Sequence, residues 1–212
     1  MNALIIGGNS GLGKEIGVEL SDKGYAVHAT GRQELNIATD LDKLKHDLDG
    51  LIERIPVINL LVYAAGFAEK GRLGELGDDH IAQMINVGLT TPALIIERII
   101  KRQDSLGGFI AITSTSQWIP REMEPVYTAV KAGLAMLAQS ASLDRRIGKT
   151  LVVGPTGMDT NFWAGTGRED THRLLNPKLV GKQILELWAD PFSYRLARIL
   201  RDPSRVEILE TR

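Results

Sequence analysis

The chain has 212 residues, a formal net charge of -1 and no cysteine. Disulfides and thiolate metal sites are thereby excluded, and the interspersed lysines, arginines and acids provide no basic surface for a nucleic acid. The four histidines, at 28, 46, 80 and 172, show no metal-ligand spacing. No apolar run approaches the roughly eighteen residues of a membrane span. The first strand starts two residues after the initiator, which leaves no room for a signal peptide. The expectation is a soluble, cytoplasmic protein with one domain over residues 1–212.

Ala3, Leu4, Ile5 and Ile6 form a short apolar run that reads as a strand buried on both faces. Gly7-Gly8-Asn9-Ser10-Gly11-Leu12-Gly13 follows directly, and a helix then begins. Leu12, Ile16 and Leu20 recur every four residues on one face of that helix, with Gly24 at its C-terminal cap. Strand, glycine turn and helix in this order make a phosphate site. Unsatisfied N–H groups point over the turn, and the helix dipole favours negative charge there. Residues 25–30 read as a second strand, ending at Gly31 and Arg32. In a dinucleotide fold that position faces the adenosine ribose, where an acid binds both hydroxyls and an arginine pairs with a 2′-phosphate. No acid stands at residues 29–32, which favours NADP(H) over NAD(H); the alternative for Arg32 is a solvated strand-end arginine.

Leu35-Asn36-Ile37-Ala38 comes only about four residues after the second strand, too soon for a crossover to a parallel neighbour, and reads as a loop under the adenine. Leu41, Leu44, Leu48, Leu51 and Ile55 mark a helix stopped by Pro56. Residues 57–63 form the next buried strand, and the small Ala64, Ala65 and Gly66 at its end leave room for a ligand. Asp78 or Asp79 is expected to cap a helix through Asn86, and Thr91-Pro92 to open another. Residues 109–113 form a strand that delivers Ser114, and the polar loop after it contains Trp118. Val126 then opens a helix holding Tyr127 and Lys131.

A strand over residues 150–153 leads into Pro155, Thr156, Gly157, Met158 and Thr160. Residues 161–176, with Phe162 and Trp163, suit either a mobile lid or a plain surface loop. A helix through Leu179, Ile184, Leu187 and Trp188 and a terminal strand over 205–210 complete the chain. The alternation predicts an α/β fold: a doubly wound, Rossmann-like parallel sheet of about six strands with helices on both faces.

Gly7, Arg32, Ala64, Ser114 and Pro155 all lie just beyond carboxyl ends of strands, where open α/β sheets bind ligands. Lys131 follows Tyr127 by four, so phenol and ammonium share a helix face. A free phenol titrates near ~10, and bringing it to about pH 7 takes ~4 kcal/mol of preferential stabilisation, which a nearby lysine and a nicotinamide cation can supply. Ser114, a neutral hydroxyl, can hold a substrate oxygen without competing for charge. Phe162, Trp163 and Trp118 suggest an aromatic substrate face, or core packing.

Together these motifs resemble the short-chain dehydrogenase/reductase family over about residues 2 to 160. Gly7, Gly11 and Gly13 are similar to its Gly-x-x-x-Gly-x-Gly turn, and Pro155 and Thr160 to its Pro-Gly-x-x-x-Thr segment. The resemblance implies a catalytic tetrad of Asn86, Ser114, Tyr127 and Lys131. In it Tyr127 is the general acid/base, Lys131 lowers its pKa and holds the nicotinamide ribose, Ser114 orients the carbonyl, and Asn86 supports a proton relay. The cofactor is expected against Gly7, Asn9, Ser10, Gly11, Leu12, Arg32, Asn36, Ile37, Ala64, Ala65, Gly66, Tyr127, Lys131, Pro155, Thr156, Gly157, Met158 and Thr160.

The chain departs from the family where Ile6 replaces a threonine, Tyr63-Ala64-Ala65-Gly66 replaces Asn-Asn-Ala-Gly, Asn36 replaces an aspartate and Thr156 replaces a glycine. Ser10 also stands where NADP-type members often carry a second basic residue. The implied activity is NADP(H)-dependent interconversion of a small-molecule carbonyl and alcohol by a homodimer or homotetramer. The alternatives are an epimerase or dehydratase with retained cofactor, or a dinucleotide-binding regulatory or scaffold protein without turnover.

Overall fold

The computed structural model describes residues 1–164 and 170–212. In chain order the main elements are β1 (Asn2–Ile6), α1 (Gly11–Asp22), β2 (Ala26–Thr30), α2 (Leu41–Glu53), β3 (Leu60–Tyr63), α3 (Asp78–Ile85), α4 (Thr91–Gln103), β4 (Gly108–Ile112), α5 (Pro125–Ala141), β5 (Thr150–Pro155), α6 (Pro177–Ala189), β6 (Tyr194–Leu200) and β7 (Arg205–Thr211). The strands form one seven-stranded sheet in the order β2-β1-β3-β4-β5-β6-β7. β1 to β6 run parallel, and β7 runs antiparallel to β6. Chain direction across the sheet reverses beside β1, which places a ligand crevice over the carboxyl ends of β1 and β3.

The sheet is covered on both faces because its central strands are apolar on both. In β1, Leu4 and Ile6 join a core with Leu44, Leu48 and Ile52 of α2, Ile95 and Ile99 of α4, and Leu134 and Ala138 of α5. Ala3 and Ile5 point the other way, into a core with Leu12, Ile16 and Leu20 of α1 and Val180, Ile184 and Leu187 of α6. Each fully buried leucine or isoleucine contributes about 1.5–3 kcal/mol, so these faces hold the helices on the sheet.

The segment after β2 is a loop, as its length requires: residues 31–40 contain no strand, and buried Leu35 anchors the loop in the core. Two expectations about strands are corrected. The sixth parallel strand is β6, which the sequence did not reveal, because it carries Arg195 and Arg198 among its apolar residues and reads as surface. Arg195 is in fact 6% exposed, with Nη1 donating to the Leu187 carbonyl at 2.8 Å and to Asp190 at 2.8 Å. The terminal strand β7 is antiparallel because only residues 201–204 join it to β6, enough for a hairpin and too few for a crossover.

The expected pair of helices around Asn86 is continuous, and the cap expected at Asp78 or Asp79 is Gly77, with both acids in the first turn. Between α3 and α4, residues Asn86–Thr90 make a single π-helical turn. Pro92 accounts for it. A proline has no N–H for the carbonyl four residues back, so the ladder widens, and the Thr91 N–H reaches the Asn86 carbonyl instead. That shift leaves the Val87 carbonyl without a helical partner. The Tyr63 hydroxyl at the end of β3 donates to it, and Thr91 Oγ1 donates to the Asn86 carbonyl at 2.7 Å. Tyr63, where the family has asparagine, therefore closes a gap opened by Pro92.

Tyr63→Phe keeps the ring and removes the only side-chain partner of the Val87 carbonyl among the described residues. An unsatisfied buried acceptor costs about 1–3 kcal/mol. At this chain length that lowers the melting temperature by roughly 2–4 °C per kcal/mol. A thermal melt of the variant checks this; an unchanged midpoint would show that water or a shifted turn replaces the phenol.

Candidate active site

A cleft of about 1090 Å³ opens over the carboxyl ends of β1, β3, β4 and β5. The turn from Gly7 to Gly13 forms one end. Gly7 has φ +83, and a Cβ on Gly13 would stand 2.2 Å from the Gly7 carbonyl oxygen, so the turn is compatible only with glycine at those points. The turn hangs from the neighbouring strand: the N–H groups of Gly7 and Gly8 both donate to the Thr30 carbonyl, at 3.0 and 2.8 Å. Ser10 precedes α1 without a side-chain cap, and no acid stands in the first turn. The positive end of α1 is thus left without an internal counter-charge.

All eighteen residues expected against the cofactor, from Gly7 to Thr160, line this cleft, and so does Ser114. Asn86 does not. Its side-chain amide donates to the Thr39 carbonyl at 3.3 Å, and its backbone carbonyl accepts from the N–H and Oγ1 of Thr91. Trp118 is likewise outside the cleft; its ring packs over Gly154, where an added Cβ would lie 2.6 Å from Cζ3. Phe162 and Trp163 do line it. Of the possible lid, residues 165–169 lie outside the described residues.

At the other end Ser114 caps a short turn, its Oγ accepting from the Ser116 N–H at 3.1 Å and contacting Ser116 Oγ at 3.2 Å. Tyr127, on the first turn of α5, is half-buried and packs against Phe162 with ring centroids 6.1 Å apart. Burial pushes its phenol pKa up. A hydrogen bond with Ser114 and the charge of Arg121 pull it down, and Glu124 pushes it up further. Lys131 is 4% exposed, and burial lowers its ammonium to about 8. Its Nζ donates to the Ile112 carbonyl at 3.1 Å and lies 5.7 Å from the Tyr127 ring centroid. The dominant effect on Tyr127 is loss of water.

Three polar positions in or beside the cleft escaped the sequence reading. Glu34 Oε2 accepts from Asn9 Nδ2 and from the Gly31 N–H, both at 2.8 Å, so an acid does reach the end of β2 by folding back from four residues beyond it. Ser116 is buried in the cleft wall, and Arg121 Nε donates to its Oγ at 3.2 Å. The signal for the last two was present only as Ser-x-Ser with an arginine five residues on, a pattern without meaning until the loop is folded.

Comparison with known proteins identifies the family and the fold. Residues 34–170 match the short chain dehydrogenase family, and the chain belongs to that family and is an oxidoreductase. It is similar to benzil reductase ((S)-benzoin forming) of Bacillus subtilis, 24% identical over 197 residues, covering 81% of each chain. Its fold is similar to that of 3-ketoacyl-(acyl-carrier-protein) reductase from Brucella melitensis, solved with NADH (TM-score 0.78, 15% identity, 94% of this chain and 96% of that one). It is also similar to that of an alcohol dehydrogenase from Thermococcus sibiricus, solved with 5-hydroxy-NADP (TM-score 0.77, 19% identity, 94% of each chain).

Among the described residues no group of three or more His, Cys, Asp or Glu is placed to hold a metal ion, and no helix is long and apolar enough to cross a membrane.

Proposed function

We propose that the protein interconverts a carbonyl and an alcohol using NADP(H), with Tyr127 as the general acid/base. The convergence of Tyr127, Ser114 and Lys131 at one end of a cleft whose other end is the glycine turn carries this reading. The residues fit a dinucleotide. The uncapped start of α1 suits its diphosphate, and Thr156 Oγ1, buried beside Pro155 with no partner among the described residues, suits a nicotinamide carboxamide. When bound, the dinucleotide supplies or accepts the hydride.

The rest is done by the chain. The neutral Tyr127 hydroxyl is a proton donor ready for reduction, and the Ser114 hydroxyl orients the carbonyl oxygen beside it. Lys131 holds a positive charge below that oxygen and donates to ribose hydroxyls. No step is assigned to the Asn86 side chain. We take the whole chain as one catalytic domain, paired into a homodimer or homotetramer through α4 and α5.

Reduced dinucleotide consumed on addition of a carbonyl compound tests the activity. Benzil is a rational first probe, since a relative carries that substrate in its name. Dinucleotide binding with no turnover of any carbonyl or alcohol would replace the reading with that of a non-catalytic binder.

Two groups of opposite charge stand at the ribose end. Arg32 has no ion-pair partner among the described residues and lines the cleft, which favours the 2′-phosphate of NADP(H). Glu34 works against it. Arg32→Ala is expected to lower the ratio of NADPH to NADH affinity by about tenfold, and Glu34→Gln to raise it several-fold. Titration of both cofactors by thermal shift reads the ratio, and an unaltered ratio in Arg32→Ala would overturn the preference for NADP(H).

A further inference from the structure

The cleft holds a polar ladder beyond Ser114 that carbonyl reduction alone does not use. Ser114 Oγ, Ser116 Oγ and Arg121 Nε stand in series, each 3.2 Å from the next. Ser116 is 3% exposed and its oxygen accepts from Arg121 Nε; with acceptor atoms in the cleft, the Ser114 and Ser116 protons can both turn toward them, in place of the hydrogen bond between the two serines. Arg121 spends Nε on this contact, and Glu124 lies 3.7 Å from the same nitrogen. Its two Nη groups make no hydrogen bond to any described residue, while the side chain is 42% exposed and borders the cleft.

A second cation, Lys70, lines the cleft from the opposite loop, its Nζ 5.9 Å from the Trp163 ring centroid and without a carboxylate partner among the described residues. The two loops are tied together. The Gly71 N–H donates to the Met123 carbonyl at 2.9 Å, and Arg72 Nε pairs with Glu122 at 2.7 Å. Below this rim lie Phe67, Phe162 and Trp163. The rim inside the cleft therefore carries two cations against one acid, Glu124, over an aromatic floor.

Resting on the oxidoreductase reading, we propose that the substrate is a 2-oxo carboxylate with an apolar or aromatic substituent, its carboxylate held by Arg121 and Ser116 while Ser114 and Tyr127 hold its carbonyl. Oxygens on adjacent carbons of such an acid lie roughly 3 Å apart by ordinary bond lengths, which matches the spacing of the two serine hydroxyls. A carboxylate also suits the fork of an arginine better than any neutral group does. Glu124 keeps the guanidinium aligned and sets an upper limit on its attraction for an anion. In the reaction C2 of the oxo acid takes a hydride from the reduced dinucleotide, and the carbonyl oxygen takes the Tyr127 hydroxyl proton. The oxo acid is reduced to a 2-hydroxy acid, and the dinucleotide is oxidised.

The test compares benzoylformate with methyl benzoylformate as substrates, reading the ratio of their kcat/KM values in wild type and two variants. The ester is intrinsically the more reactive carbonyl, so the change in ratio between proteins is the informative quantity. Arg121→Gln is expected to lower the acid-to-ester ratio about tenfold or more, mainly through KM of the acid. Glu124→Gln is expected to raise it several-fold, and an increase cannot come from a damaged fold. The same order is expected in thermal shifts with mandelate against methyl mandelate in the presence of oxidised dinucleotide, where no turnover is needed. Carbonyl reduction with a ratio unmoved by both variants overturns the oxo-acid assignment and leaves the oxidoreductase reading standing. No turnover of either compound or of benzil, with no shift from mandelate, removes both.

Discussion

Tyr127→Phe is expected to lower kcat/KM for carbonyl reduction by about 10²–10⁴-fold, the usual contribution of a positioned general acid. The ring of residue 127 packs against Phe162, and phenylalanine keeps that contact. The variant should therefore fold and bind dinucleotide with little change, and the loss should fall on kcat. The wild-type phenol is held above its ordinary pKa by burial, so it stays protonated throughout the neutral range and reduction needs no prior proton uptake. Stopped-flow or steady-state rates, together with dinucleotide titration of the same variant, check both halves. Wild-type rates in Tyr127→Phe would move the proton donor to another group in the cleft.

The second large effect is with pH, and it has opposite signs for activity and stability. Burial lowers Lys131 to about 8, below its value in the unfolded chain. The charged form, which under the proposed mechanism would hold ribose and steady the developing alkoxide, is present below about pH 8 and is lost above it. Reductive kcat/KM is accordingly expected to fall by about tenfold per pH unit beyond that point, as a single ionisation of the free enzyme requires. Folding responds the other way. Between about 8 and the ordinary lysine value near ~10.4, the unfolded chain binds more protons at this position than the native one, so this group's contribution to stability rises with pH. Rates and denaturant midpoints over that window measure the two slopes. Lys131→Met should abolish the activity break and flatten the stability trend; a break that survives in the variant belongs to a different residue.

Much of this site was legible before the fold was known, and the reason is local. Gly7, Gly11 and Gly13 act through backbone geometry within one turn, and Tyr127 and Lys131 through the repeat of one helix, so spacing alone places them. What was not legible depends on how separate segments meet. Asn86 opens a π-turn that Pro92, six residues on, accounts for, and its side chain bonds the Thr39 carbonyl outside the cleft lining; a periodic reading contains neither. Glu34 lies two residues beyond positions 29–32, where a ribose acid is expected, and folds back onto Gly31. β6 escaped notice because a buried arginine satisfied by the Leu187 carbonyl and Asp190 looks the same in sequence as a solvated one. Lys131 lines the cleft on the same helix as Tyr127, with its Nζ on the Ile112 carbonyl and 5.7 Å from the phenol ring centroid, and burial rather than this charge sets the direction of the phenol's shift.

The trimmed loop after β2 makes that strand the outer rim of the sheet, with a single partner in β1. The Thr30 carbonyl that suspends Gly7 and Gly8 belongs to this rim. Nucleotide affinity is thus tethered to the part of the sheet that frays most readily, and occupancy of the turn clamps that margin in return. The enzyme would lose its grip on the coenzyme during warming before its hydrophobic layers separate, and saturation with coenzyme would postpone that first loosening.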